Sequence, residues 1–311
     1  MSERSPLARC RPSLAFWFII AAAIFFACAS GSKAATPFPS AETARFSVEV
    51  VGQGPDVILI PGLNCSREVW DATVAQLKGQ YRLHVINIAG FGPEPAAANR
   101  NGPVIDPVTE ALNAYIVQNK LQKPIVVGHS LGGLTGLRLA SQHPDSVSKV
   151  IVVDALPFIG VLFNPAATAE TIAPQATQMR DNMLKGDDAT YKVQQQAALA
   201  ALGEPKTEAE KNRLRIATWG AQSDRYVVAQ ALYDDMTMDL RKDLPKITAE
   251  VVLFFPHSPA MPYTAEQTEA FYKVQYTGTA RFTARRFDNS QHFIMYDQPE
   301  AFATALAEAL K

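Results

Sequence analysis

Cysteine is scarce, with three in 311 residues at Cys10, Cys28 and Cys65. So small a number excludes a disulfide framework. An excess of charge of either sign is missing too: 29 Lys and Arg against 30 Asp and Glu leave a net charge of -1. Neutralising a phosphate backbone needs a strongly basic face, so nucleic acid is not an expected partner. No internal repeat, low-complexity tract or ligand-type spacing of His, Cys and Asp appears, and neither a metal nor an organic cofactor is expected. What the chain does have is 48% hydrophobic and 19% charged residues. That is material for a large core, in one interrupted domain or two.

The first residues have a different character from the rest. Arg4, Arg9 and Arg11, with only Glu3 against them, precede an uncharged run over 14–29 (LAFWFIIAAAIFFACA), followed by a small and polar stretch over 30–35. This is the layout of a secretory signal. The run falls short of the ~20 residues a membrane-spanning helix needs, so cleavage is expected, after Ala29 or after Ala34, where Ala27-Cys28-Ala29 and Ser32-Lys33-Ala34 offer small-x-small sites. The expectation is an exported protein, periplasmic or secreted, with a signal over 1–29 and no stable membrane span. A tether through the uncleaved segment or a lipidated Cys28 is the alternative. Cutting after Ala29 removes three Arg, one Glu and two cysteines, leaving a net charge of -3 and Cys65 as an unreactive loop thiol.

Beyond residue 44 the pattern alternates. Residues 45–51 (RFSVEVV) alternate as a half-buried strand does, and short apolar runs follow at 57–60, 83–88, 125–127, 150–153, 251–255 and 281–287. Most are too continuous for a strand with one wet face and read as central strands of a parallel sheet. Helical periodicity fills the intervals at 70–77, 108–118, 131–141 and 299–310, which is the βαβ rhythm of an α/β domain. One interval breaks it. From 157 to 245 no strand is evident, only helical stretches at 168–184, 191–202, 207–218 and 226–238. The organisation expected is a core over 45–156 and 246–311 with a helical insertion over 157–245, read as a lid because long inserts at strand carboxyl ends often cover a ligand crevice, with a second helical domain that gates nothing as the alternative.

Chemistry enters at Gly128-His129-Ser130-Leu131-Gly132. This Gly-x-Ser-x-Gly follows a Val-rich strand and opens a helix, the setting of a nucleophile elbow in which small residues make room for a strained serine. A serine hydroxyl needs a base, and the base needs an orienting acid. Of the five histidines, His84 lies in a strand, His129 in the elbow, His143 at a helix end and His257 just after a strand. His292 sits in a polar loop between the last strand and the last helix, and it follows Ser130 and any intervening acid in chain order, as this architecture requires.

These motifs resemble the α/β-hydrolase superfamily, in its lid-bearing serine hydrolase branch, over nearly all of 45–311. Ile60-Pro61-Gly62-Leu63-Asn64 with Trp70 is similar to the oxyanion-loop segment, 128–133 to the elbow, His143-Pro144-Asp145 with 150–154 to the helix and strand that follow it, and Ser290-Gln291-His292-Phe293 to the histidine loop. The resemblance implies a mostly parallel sheet flanked by helices, and backbone N–H groups of Leu63 and Leu131 forming an oxyanion hole. The chain departs from the pattern at Phe255-Pro256-His257-Ser258-Pro259, where the acid often stands and no carboxylate is present. Asp154 is the leading candidate, because some members of the superfamily carry the acid on the strand after the elbow. Asp288, four residues before His292, is the alternative.

The activity implied is hydrolysis of a small-molecule acyl substrate: a carboxylic ester, thioester or lactone, by way of an acyl-enzyme on Ser130, with His292 as base and Asp154 as its orienting acid. An aminopeptidase or amidase of the same fold is the alternative, for which Asp181, Asp224 or Asp234 of the insertion would meet a free amine. A non-catalytic binding protein is the reading from another class, resting on the missing carboxylate after Phe255.

Overall fold

The computed structural model describes residues 44–311. The segment read as a signal, with Ala29, Ala34, Cys10 and Cys28, lies outside the described residues.

Seven strands form one sheet: β1 (Phe46–Val51), β2 (Asp56–Ile60), β3 (Arg82–Ile88), β4 (Ile125–His129), β5 (Lys149–Val153), β6 (Glu250–His257) and β7 (Phe282–Asp288). Their order is β1-β3-β2-β4-β5-β6-β7. Only β1 is antiparallel, lying against β3, while every other pairing is parallel. Continuous apolar strands follow from burial on both faces. Ile58, Ile60, Val126, Val150, Val152, Val251 and Leu253 point into one apolar cluster, and their neighbours Val57, Leu59, Val127, Ile151, Val153, Val252 and Phe254 point into another. Each such side chain contributes about 1.5–3 kcal/mol when fully buried. The strand at the far edge, β7, has one wet side, and its exposure alternates accordingly.

Helices α1 (Asp71–Leu77), α2 (Ile105–Gln118) and α3 (Leu131–Gln142) cross between the first five strands. Between β5 and β6 stand α4 (Ala169–Met183), α5 (Asp188–Ala201), α6 (Glu208–Gln222) and α7 (Arg225–Thr237). Side chains of Thr168, Asp187, Thr207 and Asp224 accept hydrogen bonds from backbone N–H groups in the first turns of these four helices and so define where each begins. Helices α4 and α7 close on a third apolar cluster with Leu156, Phe158, Val161, Ile172, Ala176 and Met236. Then come α8 (Ala265–Gln275), α9 (Ile294–Asp297) and α10 (Pro299–Ala309). The periodicity of the sequence does not reveal α8, because Thr268 alone of its residues is fully buried. Its signal is instead the capping box of Thr264 and Gln267. Because β2 to β7 run parallel, the segments leaving β4, β5 and β7 emerge along one edge of the sheet.

Candidate active site

Ser130 occupies the turn between β4 and α3 with φ 52° and ψ -123°. An L-residue at positive φ is held there only when its surroundings enforce it. Here the turn is wedged between backbone segments. A Cβ on Gly128 would lie 2.2 Å from the carbonyl oxygen of Gly132, and one on Gly132 would lie 2.4 Å from that of Ile60. The Ser130 N–H donates to the Val153 carbonyl at 2.9 Å, tying the elbow to the end of β5.

The loop after β2 lies directly against this turn, since a Cβ on Gly62 would come within 3.1 Å of the Ser130 Cβ. The backbone N–H groups of Leu63, in that loop, and of Leu131, the first residue of α3, have no acceptor among the described residues. First-turn N–H groups of a helix are unpaired by construction.

Asp154 follows β5 with φ 48°, its N–H bonded to the Phe254 carbonyl at 2.8 Å. Its side chain is almost fully buried and meets two donors: His292 Nδ1 lies 2.6 Å from Oδ2, and the Tyr272 hydroxyl of α8 donates to Oδ1 at 2.5 Å. Nδ1 therefore carries its proton toward the carboxylate, which leaves Nε2 of neutral His292 as the acceptor. Crowding around the imidazole works against its charge, but the hydrogen bond to Asp154 and the carboxylates of Asp154 and Asp235 prevail, and the pKa of His292 rises above the usual 6.5.

Asp288 is not part of this arrangement. It is gripped by Arg286, with Nε 2.7 Å from Oδ1, and that guanidinium holds its carboxyl below the ordinary range. The remaining histidines are engaged elsewhere. His84 bonds Tyr115 and Asp56, His143 bonds Glu110, and His257 bonds Thr268.

His129 stands closer to the site than its sequence position suggests. It is fully buried, its ring centroid is 4.6 Å from that of His292, and its Nε2 lies 2.9 Å from the His292 carbonyl oxygen. Nε2–H is therefore the donor. Burial, reinforced by the neighbouring His292, keeps the ring neutral by pushing its pKa well below 6.5. Cys65 is a free thiol, likewise buried, and burial raises its pKa to about 12, so it is inert.

Of the insertion acids singled out as amine partners, each is already occupied. Asp181 pairs with Arg180. Asp224 pairs with Arg100 and accepts from the first-turn N–H groups of α7. Asp234 accepts from the N–H groups of Val104 and Ile105 at 2.6 and 3.2 Å. Asp235, which sequence reasoning passes over, is 7% exposed and has no hydrogen-bond partner among the described residues. Burial pushes its carboxyl up to about 7, with the charge of His292 opposing and that of Asp234 adding.

A groove of about 660 Å³ runs between α6 and the loop after β7, with Asn212, Arg213 and Ile216 on one wall and His292, Phe293 and Tyr296 on the other.

The chain is similar to known hydrolases. A curated pimeloyl-[acyl-carrier protein] methyl ester esterase of Vibrio vulnificus is 28% identical over 205 residues, covering 66% of this chain and 76% of the relative. The enzyme of the same name from Vibrio cholerae is 26% identical over 265 residues, 84% and 96% of the two chains. Among solved structures, an esterase from Exiguobacterium antarcticum superposes with a TM-score of 0.65 at 19% identity, covering 85% of this chain and 95% of that one, a likeness of fold. These relatives correct the expectation of export. They are named for a pimeloyl methyl ester held on an acyl-carrier protein, a substrate that does not accord with export. The exported reading, together with its alternative of a tether through 1–29 or Cys28, is withdrawn. Among the described residues no helix is long and apolar enough to cross a membrane. Residues 55–299 match the family model of the alpha/beta hydrolase fold, and with its one-edge arrangement of Ser130, Asp154 and His292 on a seven-stranded sheet, the chain belongs to that family.

Proposed function

We propose that this protein hydrolyses a carboxylic ester through an acyl-enzyme on Ser130. The observation that carries the reading is a histidine whose Nδ1–H is held by the Asp154 carboxylate and whose ring lies 4.6 Å from that of His129, the neighbour of Ser130 in the strained elbow. In this mechanism Ser130 Oγ attacks the ester carbonyl while His292 Nε2 accepts its proton, and the N–H groups of Leu63 and Leu131 receive the negative oxygen. The tetrahedral species collapses, His292 returns the proton to the leaving alcohol, and the acyl group stays on Ser130. Water, deprotonated in turn by His292, then releases the acid. Asp154 keeps the proton on Nδ1 and stabilises the imidazolium that forms twice per cycle.

A serine nucleophile restricts the substrate to carbonyl compounds. Opening an epoxide or displacing a halide would leave a stable ether on Ser130, with no carbonyl for water to attack. The curated relatives are named for cleaving a methyl ester, which supports an ester of a small alcohol for this chain. Thioesters and lactones follow the same route. Helices α4–α7 act as a lid over the strand ends, in keeping with their position between β5 and β6.

The test is covalent labelling by a fluorophosphonate together with turnover of a panel of methyl and p-nitrophenyl esters. Labelling and turnover are expected in the native protein and absent in Ser130→Ala. Failure of the native protein to label, or labelling that persists in the variant, overturns the reading.

A further inference from the structure

With no carboxylate after it, Phe255 near the end of β6 serves instead as a platform for a tyrosine of α8. Tyr272 stacks on it with ring centroids 4.8 Å apart and planes at 29°, and its hydroxyl reaches the turn after β5. There it donates to Asp154 Oδ1 at 2.5 Å, while Oδ2 faces His292 Nδ1 at 2.6 Å. No other donor meets Oδ1 among the described residues. One turn further along α8, Tyr276 stacks on Phe282, and its hydroxyl donates to the Ala155 carbonyl at 2.8 Å. Residues four apart share a helix face, so α8 holds the Asp154-Ala155 turn at two points, one on the side chain and one on the backbone. The turn needs such a hold, because Asp154 is an L-residue at φ 48°. Burial and the adjacent carboxylate push the Tyr272 hydroxyl well above its usual 10, so it remains a donor wherever a histidine titrates.

We propose that Tyr272 is a positioning residue behind His292: its hydroxyl fixes the Asp154 carboxyl and takes up part of its charge, which limits how firmly that carboxylate holds an imidazolium. This rests on the ester reading and adds to it the group that sets the working range of the base. A carboxylate stabilised by donors is a weaker base. Without the phenol, the whole charge of Asp154 bears on His292, and the imidazole stays protonated to higher pH. The other groups that act on the ring are the same with or without Tyr272. They are His129 of β4, neutral and 4.6 Å away between ring centroids, and Asp235 of α7, whose charge also favours the imidazolium. Tyr276, the second phenol beside the turn, is taken by the Ala155 carbonyl.

The experiment follows kcat/KM for a p-nitrophenyl ester against pH in the native protein, in Tyr272→Phe, and in protein with 3-fluorotyrosine placed at position 272 by codon suppression. The two changes act in opposite directions. Tyr272→Phe removes the donor and should move the acid limb up by about half a pH unit or more, which reads as a roughly threefold loss of kcat/KM below the limb. The fluorinated phenol is a stronger donor and should move the limb down. It keeps the ring, the hydroxyl and the packing, so it carries the test should Tyr272→Phe fail to fold. Tyr276→Phe frees a backbone carbonyl but leaves both partners of the Asp154 carboxyl in place, and should not move the limb. The low-field proton resonance of His292 Nδ1–H, assigned by its loss in His292→Ala, reports the same midpoint without substrate. A loss equal at every pH, a limb that stays in place in the position-272 proteins, or one that moves as far in Tyr276→Phe overturns the inference alone, since Tyr272 then only braces the fold. No turnover of any ester by the native protein, with no fluorophosphonate adduct at Ser130, overturns the ester reading and this inference together.

Discussion

His292 is set between two opposed influences, crowding that disfavours its charge and carboxylates that favour it, and the carboxylates win. A general base must be neutral, so activity is expected to disappear as pH falls through the raised pKa, placing the acid limb of kcat/KM above 6.5. Most of that lift comes from Asp154. Asp154→Asn should therefore do two things at once: reduce kcat by about 10⁴-fold, as loss of the correct tautomer does, and move the acid limb to lower pH. Asp288→Asn should do neither, because Asp288 is held by Arg286 away from the imidazole. A pH–rate profile of the native protein and both variants checks this. A larger loss in Asp288→Asn, or a limb that stays in place in Asp154→Asn, would refute the assignment of Asp154. The second oxygen of Asp154 is held by Tyr272, so the acid is fixed from α8 as well as from its own strand.

At the level of elements, the sequence carried much and stopped at a definite point. Strands buried on both faces announce themselves as unbroken runs of Val, Ile and Leu, and the seven apolar stretches correspond to β1–β7 within a few residues. The elbow was legible because its glycines and its strand-to-helix setting are local features. What was not legible is the phase of one element against another. Asp234 and Asp235 are neighbours in sequence, yet on α7 they point about 100° apart, so that one accepts from the start of α2 while the other is buried without a hydrogen-bond donor among the described residues. Helix α8 was missed, and Tyr272 with it, because a mostly exposed helix has little apolar period to read. Asp234 in turn fastens the insertion to the core, accepting from Val104 and Ile105 N–H groups that otherwise have no acceptor at the start of α2. Burial raises its pKa, so shape and acceptor capacity matter more than charge. Asp234→Ala should destabilise the fold by about 1–3 kcal/mol, whereas Asp234→Asn, which keeps an acceptor oxygen, should cost much less. Urea denaturation of the two variants measures the difference, and equal losses would mean that the α2 contact contributes nothing.

For the molecule as a whole, a sheet packed on both faces supplies enough stability to carry one unsatisfied acid, and that acid leaves a trace in the pH dependence of folding. The carboxyl of Asp235 titrates at about 7 in the folded protein, against an ordinary value of 3.8. Between those values the native state holds a proton that the unfolded chain has released, so linkage makes stability fall as pH rises across this window. His292, with its raised pKa, acts in the same direction as pH rises through it. His129 and His84, with lowered pKa values, act oppositely, because below 6.5 the unfolded chain gains protons that the buried rings refuse. The net slope mixes all four, but the component due to Asp235 can be isolated. Asp235→Asn cannot ionise, and the histidines remain in both proteins, with His292 losing only the smallest of the contributions that raise it, so the stability of the variant relative to the native protein should rise from pH 4.5 to pH 8. A deeply buried group with a shift of this size implies a change on the order of 2–4 kcal/mol. Urea denaturation at the two pH values gives it directly. A relative stability that does not change with pH would mean that Asp235 keeps an ordinary pKa in the fold and that its burial does not penalise the charge.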